Sequence, residues 1–151
     1  MVKVLFVCLG NICRSPAAQG IFESLVEKNN LKDKIYIDSC GTSDHHAGQR
    51  PDPRMREHAL KRGHQLTHLA RGFEFPKDFI HFDYILTMDR SNYQDLRSFS
   101  NSEKYHSKIS PITNFCKKHS HSFVPDPYYG GSSGFETCLL YTSPSPRDRQ
   151  K

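Results

Sequence analysis

The sequence predicts an α/β domain, a three-layer sandwich in which a parallel sheet is covered by helices on both faces. Two observations predict it. Short β-branched and aromatic runs alternate along the chain with stretches whose apolar residues recur at helical spacing, and that alternation argues for βαβ units. The 151 residues also fit one domain with an ordinary core, because a chain of this length buries about two thirds of the surface it exposes when unfolded.

Each element follows from its own residues. Val2 to Val7 is a strand-like run ending near Gly10, after which Pro16 opens a segment carrying Ala17, Ile21, Phe22, Leu25 and Val26 at helical spacing. Ile35 to Ile37 forms a second strand. A loop through Gly41, Gly48, Pro51 and Pro53 leads to a helix over about 54–62. Tyr84 to Met88 supplies a third strand, with a polar helix from Arg90 to Phe99 behind it, and Lys108 to Ile112 is a weaker fourth. Ligands of parallel sheets sit at the carboxyl ends of the strands, where the loop after the first strand lies.

Composition narrows the function. Hydrophobic residues at 36% and charged residues at 25% belong to a globular chain. No apolar run approaches the ~20 residues of a membrane span, and the apolar start lacks the basic region and cleavage site of a signal peptide. The chain is therefore expected in the cytoplasm, away from membranes. The net charge of +5 is spread along the chain without an aromatic and basic motif, so nucleic acid is not the expected partner. Five cysteines in such a chain are expected to be reduced.

The chemistry concentrates in Cys8-Leu9-Gly10-Asn11-Ile12-Cys13-Arg14-Ser15, between the first strand and the first helix. A phosphate bound there meets successive backbone N–H groups and the positive end of the helix dipole, surroundings that also favour a thiolate. Arg14 can hold two phosphate oxygens with its planar fork while the Cys8 sulfur attacks phosphorus opposite the leaving oxygen. Gly10 is expected to let the backbone turn closely around the anion. Taken singly, Cys8 would read as a buried strand-end cysteine. The Cys-x5-Arg-Ser spacing between strand and Pro-opened helix outweighs that.

Beyond this loop, VLFVCLGNICRSP at 4–16, DSCGTS at 38–43, PDPR at 51–54, FDYILTMD at 82–89 and DPYYGG at 126–131 occur in order. In this the chain resembles the low-molecular-weight protein tyrosine phosphatases over about residues 2–137. The resemblance implies a flavodoxin-like fold with a four-stranded parallel sheet, no metal, no cofactor, and hydrolysis of protein-tyrosine or small aryl phosphates through a phosphocysteine. It implies that Leu9, Gly10, Asn11, Ile12, Cys13 and Ser15 line the phosphate, that Asn11 and Ser15 shape the loop and hydrogen-bond the thiolate, and that Ser39 and His68 hold Asn11.

The departing oxygen needs a proton, and Asp126 matches the family's general acid. It stands between Pro125 and Pro127, which restrict the backbone to extended or turn conformations. On its own it would read as a turn aspartate. Tyr128 and Tyr129 correspond to an aromatic wall of the cleft. The facing wall, aromatic in many relatives, falls at His45, where His45-His46 leaves ring stacking weaker. His64 and His68 are four apart but lack the acidic partner of a helical zinc motif, so a metal is not expected. Cys13 is either a small apolar filler or, as the resemblance suggests, a redox partner protecting Cys8. Cys40 and Cys116 read as ordinary thiols.

After Thr137 the family would continue with an amphipathic helix, yet Pro144 and Pro146 forbid one here. Residues 138–151 read as a translated sequencing adapter outside the 1–137 phosphatase domain, which would leave that domain truncated; a divergent natural tail is the alternative. Three rival functions follow from the same loop. Arsenate reduction needs a relay of further thiols, and Cys116 alone stands between 80 and 137. Phosphoarginine hydrolysis sits poorly with aromatic walls. A non-catalytic phosphoanion-binding module would not need both Cys8 and Asp126.

Overall fold

The computed structural model describes residues 1–112. Asp126, Tyr128, Tyr129, Cys116 and the 138–151 tail lie outside the described residues. Within them the element order is β1 (Val2–Cys8), α1 (Arg14–Lys28), β2 (Ile35–Gly41), α2 (Pro53–Lys61), α3 (Lys77–His81), β3 (Tyr84–Thr87), α4 (Arg90–Ser98), α5 (Glu103–His106) and β4 (Ile109–Pro111). The four strands form one parallel sheet in the order β2-β1-β3-β4. This is the flavodoxin-like arrangement, in which the reversal of strand order beside β1 opens a crevice at the strands' carboxyl ends.

Strand β1 sits centrally and is buried from Val4 to Cys8 because side chains alternate between two cores. Val4, Phe6 and Cys8 join Ala17, Ala18 and Ile21 of α1 and Met55 and Ala59 of α2 on one face. Leu5 and Val7 pack with Phe79, Phe82, Ile85, Leu96 and Ile109 on the other. Phe79 is fully buried, with the Phe73 ring 4.8 Å away edge-on and the Tyr105 ring stacked at 4.9 Å; burying a side chain of this kind contributes roughly 1.5–3 kcal/mol. No helix among the described residues is long and apolar enough to cross a membrane.

Several boundaries differ from the sequence reading. The second strand runs on from Ile37 to Gly41, with Asp38, Ser39, Cys40 and Gly41 paired to Leu5, Phe6, Val7 and Cys8. Polar Asp38 and Ser39 break the apolar run, but β1 supplies their ladder and neighbouring side chains satisfy their polar atoms. Helix α1 begins at Arg14, so Pro16 lies inside its first turn, where no intrahelical N–H is required. Helices α3 and α5, of five and four residues, have no counterpart in the sequence reading; elements this short show no periodicity.

Candidate active site

The Cys8–Ser15 loop joins the carboxyl end of β1 to the start of α1. Its left-handed residue is Asn11, at φ 59°, and not a glycine. Asparagine visits this region more readily than most side chains, and here its amide is tied on every side. Asn11 Nδ2 donates to Ser15 Oγ at 2.8 Å and to Ser39 Oγ at 3.0 Å, while Oδ1 accepts from the Arg71 backbone N–H at 3.0 Å and faces His68 Nε2 at 2.8 Å. An amide oxygen only accepts, so His68 carries its proton on Nε2. Ser39 Oγ donates onward to Gln19 Oε1 at 2.5 Å.

This scaffold points donors at the sulfur. The Asn11 backbone N–H donates to Cys8 Sγ at 3.3 Å, and Ser15 Oγ lies 3.0 Å from it. Ser15 Oγ accepts from Asn11, and its single hydrogen has two acceptors in reach, the Cys40 carbonyl at 3.4 Å and, when Cys8 is a thiolate, the sulfur at 3.0 Å. Cys8, Asn11 and Ser15 are all buried, whereas Leu9 is 51% exposed on the same loop. Ile12 is half-buried and Cys13 buried; Cys8 and Cys40 are free thiols.

Arg14 is the first residue of α1, and its side chain is only 3% exposed. Its Nη1 donates to Asp89 Oδ2 at 2.6 Å. Asp89 caps α4: its Oδ1 accepts from the Asn92 N–H at 2.8 Å while Asn92 Oδ1 accepts from the Asp89 N–H at 3.2 Å. The carboxylate at the end of β3 therefore holds one prong of the guanidinium and is itself held by the helix it starts.

A second layer stands behind. Asp38 lies 3.5 Å from His68 Nδ1 and accepts from Arg71 Nε at 3.2 Å, and Arg71 makes a two-pronged pair with Asp78 at 2.9 and 3.1 Å. Burial lowers the His68 pKa and Arg71 adds to the lowering, while Asp38 and the Ser39 backbone only partly offset them. For Arg71 burial pulls downward, yet its bond to Asp78 and the nearby acidic groups shift the pKa upward on balance. Burial, above all, raises the Cys40 thiol; it sits behind the loop, its carbonyl 3.4 Å from Ser15 Oγ.

Neighbouring loops lock the site in place. The Thr42 and Ser43 N–H groups donate to the Cys8 and Leu9 carbonyls, and the Asp52 N–H to the Ile12 carbonyl at 2.7 Å. A Cβ at Gly41 would lie 2.5 Å from the Leu9 carbonyl oxygen, so only glycine admits this approach of β2 to the loop. Gly10 lies against a different neighbour, since a Cβ there would stand 2.9 Å from His46 Cδ2. The histidine against the phosphate loop is thus His46, bonded through Nδ1 to Gln49 Oε1 at 3.1 Å; His45 is exposed, its ring 5.0 Å from that of His46.

The structure brings Cys8, Asn11, Arg14, Ser15, Ser39 and His68 into one site. Asp89, Gln19, Asp38, Arg71, Asp78 and His46 belong to its surroundings and were not found from sequence. Asp89 had a usable signal, an aspartate three residues before Asn92 at the carboxyl end of a strand, where helix caps and ligand groups meet.

A cysteine and an arginine share one loop between strand and helix, at the crevice of a parallel sheet, an arrangement suited to holding an anion and to nucleophilic chemistry. The family model described as low molecular weight phosphotyrosine protein phosphatase matches residues 3–142. A protein of Synechocystis sp., placed by its name among the low molecular weight protein-tyrosine-phosphatases, is 48% identical over 138 residues, covering 91% of this chain and 87% of that relative. The low molecular weight phosphotyrosine protein phosphatase of Schizosaccharomyces pombe is 44% identical over 140 residues, covering 92% and 88%. A crystal structure of protein tyrosine phosphatase from Entamoeba histolytica, with Hepes in its active site, superposes with a TM-score of 0.91 at 41% identity, covering 95% of this chain and 90% of that one. The chain belongs to the low molecular weight phosphotyrosine protein phosphatase family, a family of hydrolases.

Proposed function

We propose that this phosphatase hydrolyses aryl phosphate monoesters, phosphotyrosine in proteins among them, through a phosphocysteine on Cys8. The observation that carries the reading is the hydrogen bonding at Cys8 Sγ, to which the Asn11 N–H donates at 3.3 Å and which Ser15 Oγ meets at 3.0 Å, beside a buried Arg14. Such hydrogen bonds stabilise a thiolate before attack and the same sulfur when it departs in the second step. The loop N–H groups and Arg14 would hold the non-bridging oxygens, whose charge grows in the transition state.

In the first step the S–P bond forms as the P–O(aryl) bond breaks, and Asp126 gives its proton to the leaving oxygen. In the second, the Asp126 carboxylate takes a proton from water, whose oxygen attacks phosphorus; phosphate leaves and the thiolate returns. Tyr128 and Tyr129, with His45, would flank the substrate ring. This assignment rests on the family resemblance. A cysteine nucleophile needs a reducing compartment, and the free thiols of Cys8 and Cys40 are in keeping with the cytoplasm.

The test is a pre-steady-state assay with p-nitrophenyl phosphate, with acid-quenched enzyme analysed for phosphate on Cys8. A burst of p-nitrophenol equal to the enzyme concentration, with phosphorylated Cys8, is expected. Turnover without any Cys8 adduct would overturn the intermediate. Peptides bearing phosphotyrosine, phosphoserine or phosphoarginine, and arsenate with a thiol reductant, then rank the substrate class.

A further inference from the structure

A pocket of about 330 Å³ opens between α2 and the segment at 64–67, and none of its lining residues belongs to the Cys8–Ser15 loop. That volume is of the order of small-ligand sites. Arg50 and Arg56 supply its charge, and no carboxylate stands among the described residues that line it. Arg50 is exposed. Arg56 donates Nε–H to the Pro51 carbonyl at 3.0 Å, which steadies the stem of its guanidinium. Leu66, buried against α1, and Leu60, 65% exposed on α2, add an apolar surface beside the two cations.

His64 completes the wall and has a defined hydrogen-bonding sense. Ser24 Oγ donates to the Gly20 carbonyl at 3.0 Å, so toward His64 Nδ1, 3.2 Å away, the hydroxyl acts as acceptor and Nδ1 bears the proton. In the neutral ring Nε2 is then an acceptor, and burial followed by the Arg62 charge favours that neutral form. The pocket thus offers two guanidinium groups, the Thr67 hydroxyl, the Gln65 amide and an apolar face. Guanidinium groups pair with carboxylate and phosphate oxygens, while leucine surface favours a hydrocarbon body.

We propose that this pocket is a second binding site, taking a small organic anion that couples a carboxylate or phosphate-like head to an apolar body. Its position is distinct from the catalytic loop, though close to what supports it: Arg50 is two residues from Asp52, which is bonded to the Ile12 carbonyl, and Thr67 adjoins His68, which holds Asn11.

The probe is phenylphosphonate, which is not hydrolysed, titrated calorimetrically with and without saturating vanadate, with backbone amide NMR locating the responses. Two sites are expected. One perturbs residues 8–15 and disappears with vanadate; the other perturbs residues 60–67 and persists. Arg50→Glu should weaken the persistent site at least tenfold and leave the melting temperature and p-nitrophenyl phosphate turnover unchanged, because Arg50 is exposed; Arg50→Lys should restore most of the binding. A single site wholly displaced by vanadate would overturn the proposal, as would a persistent site indifferent to both Arg50→Glu and Arg56→Leu. If vanadate fails to bind at all, the catalytic reading falls while the Arg50-sensitive site still reports on this pocket.

Discussion

Asp89 Oδ2 lies 2.6 Å from Arg14 Nη1, joining the end of β3 to the start of α1 beneath the phosphate loop. With side chains 3% and 23% exposed, this pair is shielded from water far more than a surface ion pair. Asp89 touches no reacting atom in this arrangement; it is a positioning residue that orients the guanidinium. Asp89→Asn should therefore lower kcat/KM by about 10²-fold, the scale of a small misplacement of a catalytic group. Vanadate affinity should weaken in parallel, whereas a purely structural role would lower the melting temperature and leave vanadate affinity per folded molecule intact.

Cys8→Ser should abolish turnover and keep vanadate or phosphate binding, because the loop N–H groups and Arg14 remain. Arg14→Lys should be severe in both respects, since a point ammonium cannot reproduce the planar two-pronged contact. Appreciable turnover by the Cys8→Ser protein would remove the nucleophile assignment.

Asp126→Asn should slow aryl phosphates with poor leaving groups by about 10² to 10⁴ and those with good leaving groups much less, as expected where a proton must reach the departing oxygen. A series of substituted phenyl phosphates measures this directly. Equal losses across the series would point to a structural aspartate.

Gly41→Ala should be destabilising and catalytically harmful together. The added Cβ would meet the Leu9 carbonyl oxygen at 2.5 Å and the Ser43 carbonyl oxygen at 2.8 Å, both of them backbone atoms that cannot rotate away. A cost of about 1–3 kcal/mol in a urea titration is the ordinary scale for such overpacking. Unchanged stability would mean that the loop yields without strain.

Stability should fall on acidification through the histidine range. Burial, as the first cause in each, lowers His64 and His68 from the ordinary value of 6.5. Their contribution is present above that value; below it the unfolded chain binds protons that the folded chain refuses, so it is lost as pH falls toward the folded pKa values. Melting temperatures from about pH 7.5 down to about 5.5 should decline, and His64→Gln should flatten the decline by its share. A slope unaltered by that substitution would contradict the assignment of His64 as a half-buried neutral ring.

The four-stranded parallel sheet, the helices α1, α2 and α4, and the Cys8, Arg14 and Ser15 of the phosphate loop were legible in the sequence because they depend on local pattern. Strand runs, helical periods and a Cys-x5-Arg-Ser spacing are properties of neighbours along the chain. Tertiary structure decided what depends on partners far away in sequence. The extension of β2 to Gly41 comes from pairing with β1, and the left-handed turn at Asn11 is held by Ser39, His68 and Arg71 rather than granted by Gly10. Arg14 meets Asp89 across 75 positions of sequence, and His46 rather than His45 packs against Gly10 because the 44–49 loop folds back on the phosphate loop. Hydrogen bonds and ion pairs act over a few ångströms in space, so which polar groups meet is set only when the sheet has brought its strand ends together.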